Sequence, residues 1–323
     1  MMRVAVDAWN LVDDRRGMGR YVRRVLDDWH DEADLEVTLI VRKSEHVPLL
    51  ERELSYAVRT DARGRYDAAW YPWNALRFAV RGARSVALFH DAFAFTQPHS
   101  QWIARLREQR PIRRAMRRAD VRTANSYWSA RELARVFRVD SASFKVIHPV
   151  PDPYWKPVEP PRRAPYILVV GGPEERKNLA TLVRAFERAF AAGECELVIA
   201  GNTPLATVQP NDEELRCLYS GALAVAVPSS AEGYGLMAVE AMACGAPVIA
   251  SNASALPEAC DGAAMLVAPF DVEAWASELQ RLARDGGLRH TLRARSLARA
   301  ARIDRHAPAR LTLGVLTGAL TAR

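Results

Sequence analysis

The sequence predicts an α/β protein built from two tandem domains, each a parallel sheet flanked by helices. Three observations carry that prediction. Short apolar or β-branched runs alternate with helical stretches along the chain. A stretch at 148–166, holding seven of the 19 prolines, interrupts the alternation, which then restarts. The length of 323 residues exceeds that of one ordinary domain and suits two of roughly 150 residues.

In the first half, "RVAVDA" (3–8), "LEVTLIV" (35–41), "YDAAWY" (66–71), "SVALFHD" (85–91), "VRTANS" (121–126) and "FKVIHP" (144–149) read as strands. Helical stretches fall at 19–30, 100–118 and 127–137. Prolines then exclude both helix and central strand, so 151–165 reads as an interdomain linker. In the second half strands are expected at 166–172, 195–202, 222–230, 246–251 and 263–269. Helices are expected at 177–192, 212–219, 235–244, 271–284, 287–302 and 308–321. The domains so delimited are 1–150 and 166–303, Rossmann-like in their alternation, with a C-terminal segment 304–323 free to cross back onto the first. Two such sheets are expected to face each other across a cleft, with ligands at the carboxyl ends of the strands.

Composition narrows the class. Hydrophobic content of 49% with 26% charged residues is that of a globular chain. The net charge of +7 lies wholly in the first half: residues 1–160 hold 28 Lys and Arg against 21 Asp and Glu, and 161–323 hold 17 of each. An anionic partner for that half follows, a phosphate or an anionic membrane surface before nucleic acid, since no nucleic-acid-binding motif accompanies the charge. Four cysteines without C-x-x-C spacing argue against zinc and a disulfide framework and suit a reducing cytosol. The N-terminal stretch is not that of a signal peptide, and no apolar run approaches 18 residues.

The chemistry concentrates in "AEGYGLMAVEAMACGAPVIAS" (231–251). Glu232 lies in a turn after a buried strand and Glu240 about a turn and a half into the helix that follows. Glycines let backbone N–H groups approach a ligand, and a helix start favours an anion such as a diphosphate. A carboxylate there can accept two hydrogen bonds from vicinal sugar hydroxyls. Two carboxylates repel a diphosphate, and "GGPEERKN" (171–178) offers the needed cations, Arg176 and Lys177, after a glycine turn. Two acids eight apart are commonly solvated surface. Placed among Gly, Ala, Met and Val they are costly unless engaged.

These residues carry a resemblance. "PSSAEGYGLMAVEAMACGAPVIASNASALPE" resembles the signature of the retaining family-four glycosyltransferases of the GT-B fold. "LVVGGPEERKNLATLVRAF" is similar to that family's phosphate-binding segment as found among mannosyltransferase-like members. "RGMGRYVRRVL" (16–26) resembles its N-terminal glycine loop, and "LFHDAFAF" its His-Asp loop. The likeness spans the chain, strongly over 166–302 and more loosely over 1–150.

The resemblance implies roles. Glu240 would hold the nucleotide ribose and Glu232 the donor sugar's hydroxyls. Backbone groups of Gly233, Tyr234, Gly235 and Leu236 would lie against sugar and diphosphate. Arg176 and Lys177, with Gly172 beside them, would neutralise the leaving diphosphate. Gly17 and Gly19 would let the first domain approach the phosphates, and His90 would sit by the reacting sugar. The first domain would bind the acceptor. No metal or other cofactor is expected beyond a nucleotide diphosphate sugar as co-substrate.

The expected activity is transfer of a hexose, with mannose the candidate, to a glycan or lipid-linked acceptor in polysaccharide biosynthesis. The expected location is the cytoplasm, peripherally on the inner face of the cell membrane. One departure stands out: only "NTPLATVQPND" (202–212) occupies a region that usually helps to hold the nucleobase, so the second sheet either lacks a strand or builds it from "LATVQ". A nucleotide-sugar hydrolase or epimerase, and a non-catalytic nucleotide-sugar-binding homologue, are the alternatives. The second informative stretch is 100–118, with arginines at 105, 107, 110, 113, 114, 117 and 118 interleaved with apolar residues and a Pro111 expected to kink it. It reads either as a surface for anionic lipid or as an ordinary solvated helix in an Arg-rich chain.

Overall fold

The computed structural model describes residues 1–15, 17–98, 102–161 and 164–319. Arg16 and the ends of three predicted segments (100–101 of the basic stretch, 162–163 of the linker, 320–323 of the C-terminal segment) lie outside it.

The described chain forms two compact units, residues 1–149 with the segment from 306 onward, and residues 150–305. In the first, the elements run β1 (Met2–Asp7), α1 (Met18–Trp29), β2 (Leu35–Ile40), α2 (Val47–Leu54), β3 (Ala57–Arg59), β4 (Ala68–Tyr71) and β5 (Arg84–Phe89). They continue α3 (Phe93–Thr96), α4 (Trp102–Arg118), β6 (Val121–Ala124), α5 (Tyr127–Phe137) and β7 (Phe144–Val146). The sheet order is β3-β2-β1-β4-β5-β6-β7, parallel at every pairing. Chain direction across the sheet reverses between β1 and β4, where Val4 pairs with Val37 on one side and Ala68 on the other. Ligands bind at such a reversal, beyond the carboxyl ends of the strands.

The strands read as apolar runs because both faces are covered. α1 turns Tyr21, Val22, Val25, Leu26 and Trp29 onto the sheet, a spacing that makes one helical face. Trp29 meets Trp70 of β4 at a ring separation of 5.2 Å. Its indole N–H donates to the Ala309 carbonyl at 3.0 Å, in a helix near the far end of the chain (Ala307–Thr317). That helix packs on α1, β4 and β5 and adds Ala309, Val315 and Leu316 to the core of the first unit. α4 runs through Pro111 without a break. Three elements of this unit have no counterpart in the sequence reading: α2, with a proline in its first turn, the three-residue edge strand β3 and the four-residue α3.

The second unit runs β8 (Tyr166–Val170), α6 (Leu179–Ala189), β9 (Glu196–Ala200), α7 (Asp212–Gly221), β10 (Ala224–Val227) and α8 (Leu236–Ala243). It continues β11 (Val248–Ser251), α9 (Leu256–Cys260), β12 (Met265–Val267), α10 (Val272–Arg284) and α11 (Gly286–Ala301), and the chain ends in α12, the helix just described. The parallel order is β12-β11-β10-β8-β9, with the reversal between β8 and β10. β9 is therefore an edge, and "LATVQ" adds only an isolated parallel bridge between Ala200 and Val208. Among the described residues this sheet has five strands, and 202–212 adds none.

The proline-rich stretch is fastened to the second unit rather than left as a tether. Trp155 is fully buried there and meets Tyr219 of α7 edge-on at 5.6 Å. Truncating so large a buried side chain costs about 3–5 kcal/mol. Trp155→Ala is expected to lower the denaturant midpoint of the second unit accordingly. An unchanged midpoint would show that the stretch contributes no packing.

Candidate functional site

The predicted residues divide between the two units, and each group is described by itself. In the second unit they gather at the sheet's reversal. Gly171 and Gly172 follow the end of β8, and a single 3-10 turn (Glu175–Lys177) comes next. β10 ends at Val227, and the loop 228–235 leads into α8. Lys177 Nζ lies 2.6 Å from Glu232 Oε1, and Arg176 Nη1 lies 3.3 Å from Oε2. One carboxylate thus spans two cations from a turn 55 residues earlier. Arg176 also donates to the Ala231 carbonyl at 3.2 Å.

Glu232 is only 8% exposed. Burial alone would raise its pKa. The charges of Lys177 and Arg176, with hydrogen bonds from Lys177 and Ser229, more than reverse this and hold the carboxyl below the ordinary range. Glu232 is therefore ionised at neutral pH and a poor base. Arg176 Nη2 also lies 3.6 Å from Glu174 Oε1, so the two cations stand in pairs that an anion at the N-terminus of α8 could displace.

The glycines serve this geometry unequally. Gly235 caps α8 at φ +103°, and a Cβ there would stand 2.7 Å from Leu256. Gly172 meets only the mobile Glu174 side chain. Gly233 precedes Tyr234, whose ring is buried with Val239 and Ala259. Burial pushes the Tyr234 phenol up to about 12, so it is neutral at pH 7. Leu236 opens α8 and is partly buried, and Glu240, five residues in, is 8% exposed.

Three residues that the sequence did not single out hold the arrangement. Asn178, in the left-handed conformation at φ +54°, donates to the carbonyls of Pro228 and Pro269 and accepts from Thr181 at 2.7 Å. Ser254 accepts the Glu232 N–H at 2.8 Å. Ser251 donates to the Ser229 carbonyl. An Asn directly after the basic pair is the one available signal, since Asn tolerates φ > 0.

In the first unit, Gly17 and Gly19 open α1. Gly17 takes φ +51° as its cap. Gly19 answers to the chain itself: a Cβ there would fall 1.8 Å from the Asp14 carbonyl oxygen, and its N–H donates to the Asp14 carboxylate at 3.1 Å. Asp14 is thus a cap as well as a turn residue.

His90 follows β5. Its Nε2 lies 2.7 Å from the Pro72 carbonyl, which only accepts, so Nε2 carries the proton. Burial lowers the ring's pKa to about 4, despite the raising effect of the Pro72 contact, and leaves it neutral at pH 7. Nδ1 is buried, with no hydrogen-bond partner. It can accept from a hydroxyl and brings no charge to a phosphate.

His90 has company. Asp7 at the end of β1 is fully buried, and Trp73 donates to its carbonyl at 2.8 Å. Burial pushes its carboxyl up to about 6, against the opposing pull of Arg77 and the Trp9 N–H. Asp7 Oδ2, Trp9 Nε1 and Asn125 Oδ1 are also buried without partners. Four unmatched polar atoms thus cluster at or just beyond the ends of β1, β5 and β6, and buried polar groups of native chains are ordinarily paired. None of Asp7, Trp9 or Asn125 was singled out as a site residue in the sequence.

Glu232→Gln leaves the largely buried Lys177 without its carboxylate and Arg176 with only Glu174, and is expected to cost about 3 kcal/mol at neutral pH. The folded-state pKa of Glu232 lies below its ordinary value of 4.5. The stabilisation is therefore complete above that value and fades as pH falls through the lowered one. Urea unfolding of wild type and variant should show a gap that is constant near neutrality and closes in acid. A gap indifferent to pH would refute the ionised pair.

Comparison with known proteins agrees with this geometry. Residues 164–285 match the family described as Glycosyl transferases group 1, and residues 62–153 match Glycosyltransferase Family 4. The chain is 26% identical over 250 residues to O-antigen chain mannosyltransferase B of Escherichia coli, covering 67% of this chain and 66% of that protein. It is 24% identical to O-antigen chain mannosyltransferase RfbU of Salmonella typhimurium, over 82% and 87% of the two chains. The structure of Anabaena HepE in complex with UDP and glucose superposes with a TM-score of 0.75 at 16% identity, over 98% and 100% of the chains. Residues 62–153 and 164–285 are thus similar to glycosyltransferase domains, and the two parallel α/β sheets have the GT-B fold.

Proposed function

We propose that the protein is a retaining glycosyltransferase that moves a hexose, mannose by the likeness of its relatives, from a nucleotide diphosphate sugar to a glycan or lipid-linked acceptor. The observation that carries the reading is the buried Glu232 held between Lys177 and Arg176 at the start of α8. A diphosphate would take over the two cations and the helix terminus. Glu232, so released, would accept hydrogen bonds from the donor sugar's hydroxyls, and Glu240 would accept those of the ribose. The positive charge comes from the chain itself, so the reaction proceeds without a metal.

Chemistry then rests on charge placement. The bond from the sugar C1 to the diphosphate oxygen breaks, and the acceptor oxygen bonds to C1 from the same face. The acceptor's proton passes to the departing phosphate, giving a glycoside and a nucleoside diphosphate. No carboxylate serves as nucleophile, because Glu232, once released by the diphosphate, is engaged by the hydroxyls of the donor sugar. His90, neutral and with Nδ1 bare, would accept from a hydroxyl of the reacting sugar.

Lys177→Ala and Glu240→Gln should each weaken nucleotide-sugar binding by tenfold or more, read by thermal shift across UDP-, GDP-, ADP- and dTDP-sugars. Glu232→Gln should mainly depress transfer. Unchanged binding and transfer in all three variants would refute the site. Transfer should survive EDTA, and its loss with restoration by manganese would overturn the metal-free chemistry.

The start of α4 supports a peripheral membrane role on the cytoplasmic face. Trp102, Ile103 and Leu106 are all exposed beside the helix's arginines. No helix among the described residues is long and apolar enough to cross a membrane. Co-sedimentation with liposomes should rise with anionic lipid and fall with salt. Absence of binding at every lipid composition would exclude the surface.

A further inference from the structure

The second half of α4 does something a lipid-facing helix does not require. Arg110, Arg114 and Arg118 recur at four-residue steps, so they form one ridge, with Arg113 and Arg117 beside it. All five line a single depression of about 580 Å³. Among the described residues, Arg110, Arg114, Arg117 and Arg118 have no carboxylate or other hydrogen-bond partner. Like charges at this spacing destabilise a helix, so the ridge is maintained at a cost.

Arg110 and Arg114 also line an adjoining cavity of about 680 Å³ within the first unit. Trp9 and Trp73 form its aromatic wall, and Asp91 and Glu108 supply carboxylates. Arg77 on the same wall stacks over Trp9 at 5.6 Å and is held from beneath by buried Asp7, 3.4 Å from its guanidinium. The unmatched Trp9 Nε1 belongs to this wall. Aromatic faces with carboxylates suit a sugar ring and its hydroxyls, and a fork of unpaired guanidinium groups suits a phosphate.

We propose that the acceptor is a phosphorylated saccharide, its sugar lodged between Trp9 and Trp73 and its phosphate or diphosphate ester seated on Arg110 and Arg114. This rests on the glycosyltransferase reading and names the chemical class of the acceptor within it. A free sugar phosphate and a lipid-linked diphosphate share this chemistry.

The test is titration calorimetry on the full chain with α-mannose 1-phosphate and with methyl α-mannoside. A second arm uses flotation with phosphatidylcholine vesicles, with and without a few per cent of farnesyl diphosphate. These vesicles carry no anionic lipid otherwise, so the basic helix has no general attraction to them. Binding of α-mannose 1-phosphate but not of the mannoside indicates a soluble acceptor. Flotation that depends on farnesyl diphosphate indicates a lipid-linked one.

In either arm the double variant R110Q/R114Q should lose about tenfold to a hundredfold in affinity, and Arg114→Lys should keep part of it. Both positions are exposed, and loss of like-charge repulsion should leave the melting temperature unchanged or higher. Equal binding by wild type and double variant, or no binding of either phosphate probe, overturns the proposal. Donor binding, followed by thermal shift with nucleotide sugars, separates this from the parent reading. A wild type that binds a donor but shows no phosphate dependence loses only the inference. A wild type that binds no donor loses the glycosyltransferase reading itself.

Discussion

A buried carboxylate must be paired, and much of the second unit is arranged to satisfy that demand at one point. Glu232 sits where the order of β8 and β10 reverses, so the turn after β8 can bring Lys177 and Arg176 to the loop after β10. The pairing works only if both segments hold still. Asn178 ties the first to the carbonyls of Pro228 and Pro269, and Ser254 holds the backbone of the second. Gly235 then starts α8 at an angle that no other residue takes without strain. Remove the charge pair, and these supports have no common purpose.

The first unit solves a different problem at its own reversal, between β1 and β4. There the groups are aromatic and polar, and several are unmatched. His90 is fixed by Pro72 so that one nitrogen faces away bare, and Asp7 is buried deeply enough to hold its proton more tightly than usual. The second unit stores its charge as internal pairs, whereas the first leaves arginines and polar atoms unspent. A donor carrying its own negative charge can displace a pair. The phosphorylated acceptor proposed above would meet groups already free to receive it.

The sequence made some of this legible. Strands buried on both faces, such as "YILVV", appear as unbroken apolar runs, and helices such as α1 show a one-sided apolar spacing. β3 did not show because three edge residues with one buried side chain leave almost no pattern. Glu232, Arg176 and Lys177 stood out by motif, but their mutual pairing did not, since it joins segments 55 residues apart. The association of Trp73 with Asp7 spans 66 residues and involves no motif at all. Gly19 was legible as a glycine of the first loop, whereas its close approach to the Asp14 carbonyl was not. The sequence left open whether 202–212 adds a strand, and the five-stranded sheet needed the structure to be seen.

α12 gives the fold an order in time. Trp29 bonds the carbonyl of Ala309, a residue made 280 positions later, and the same helix covers β4 and β5. On the ribosome, the half of the protein that emerges first must therefore wait with its core uncovered until the other half has been made. Such a nascent chain shows apolar surface for longer than a simple N-to-C sequence of folding would require. Any fusion or truncation that disturbs the carboxyl end will thus be felt at the amino end, in a core the newly made chain cannot complete by itself.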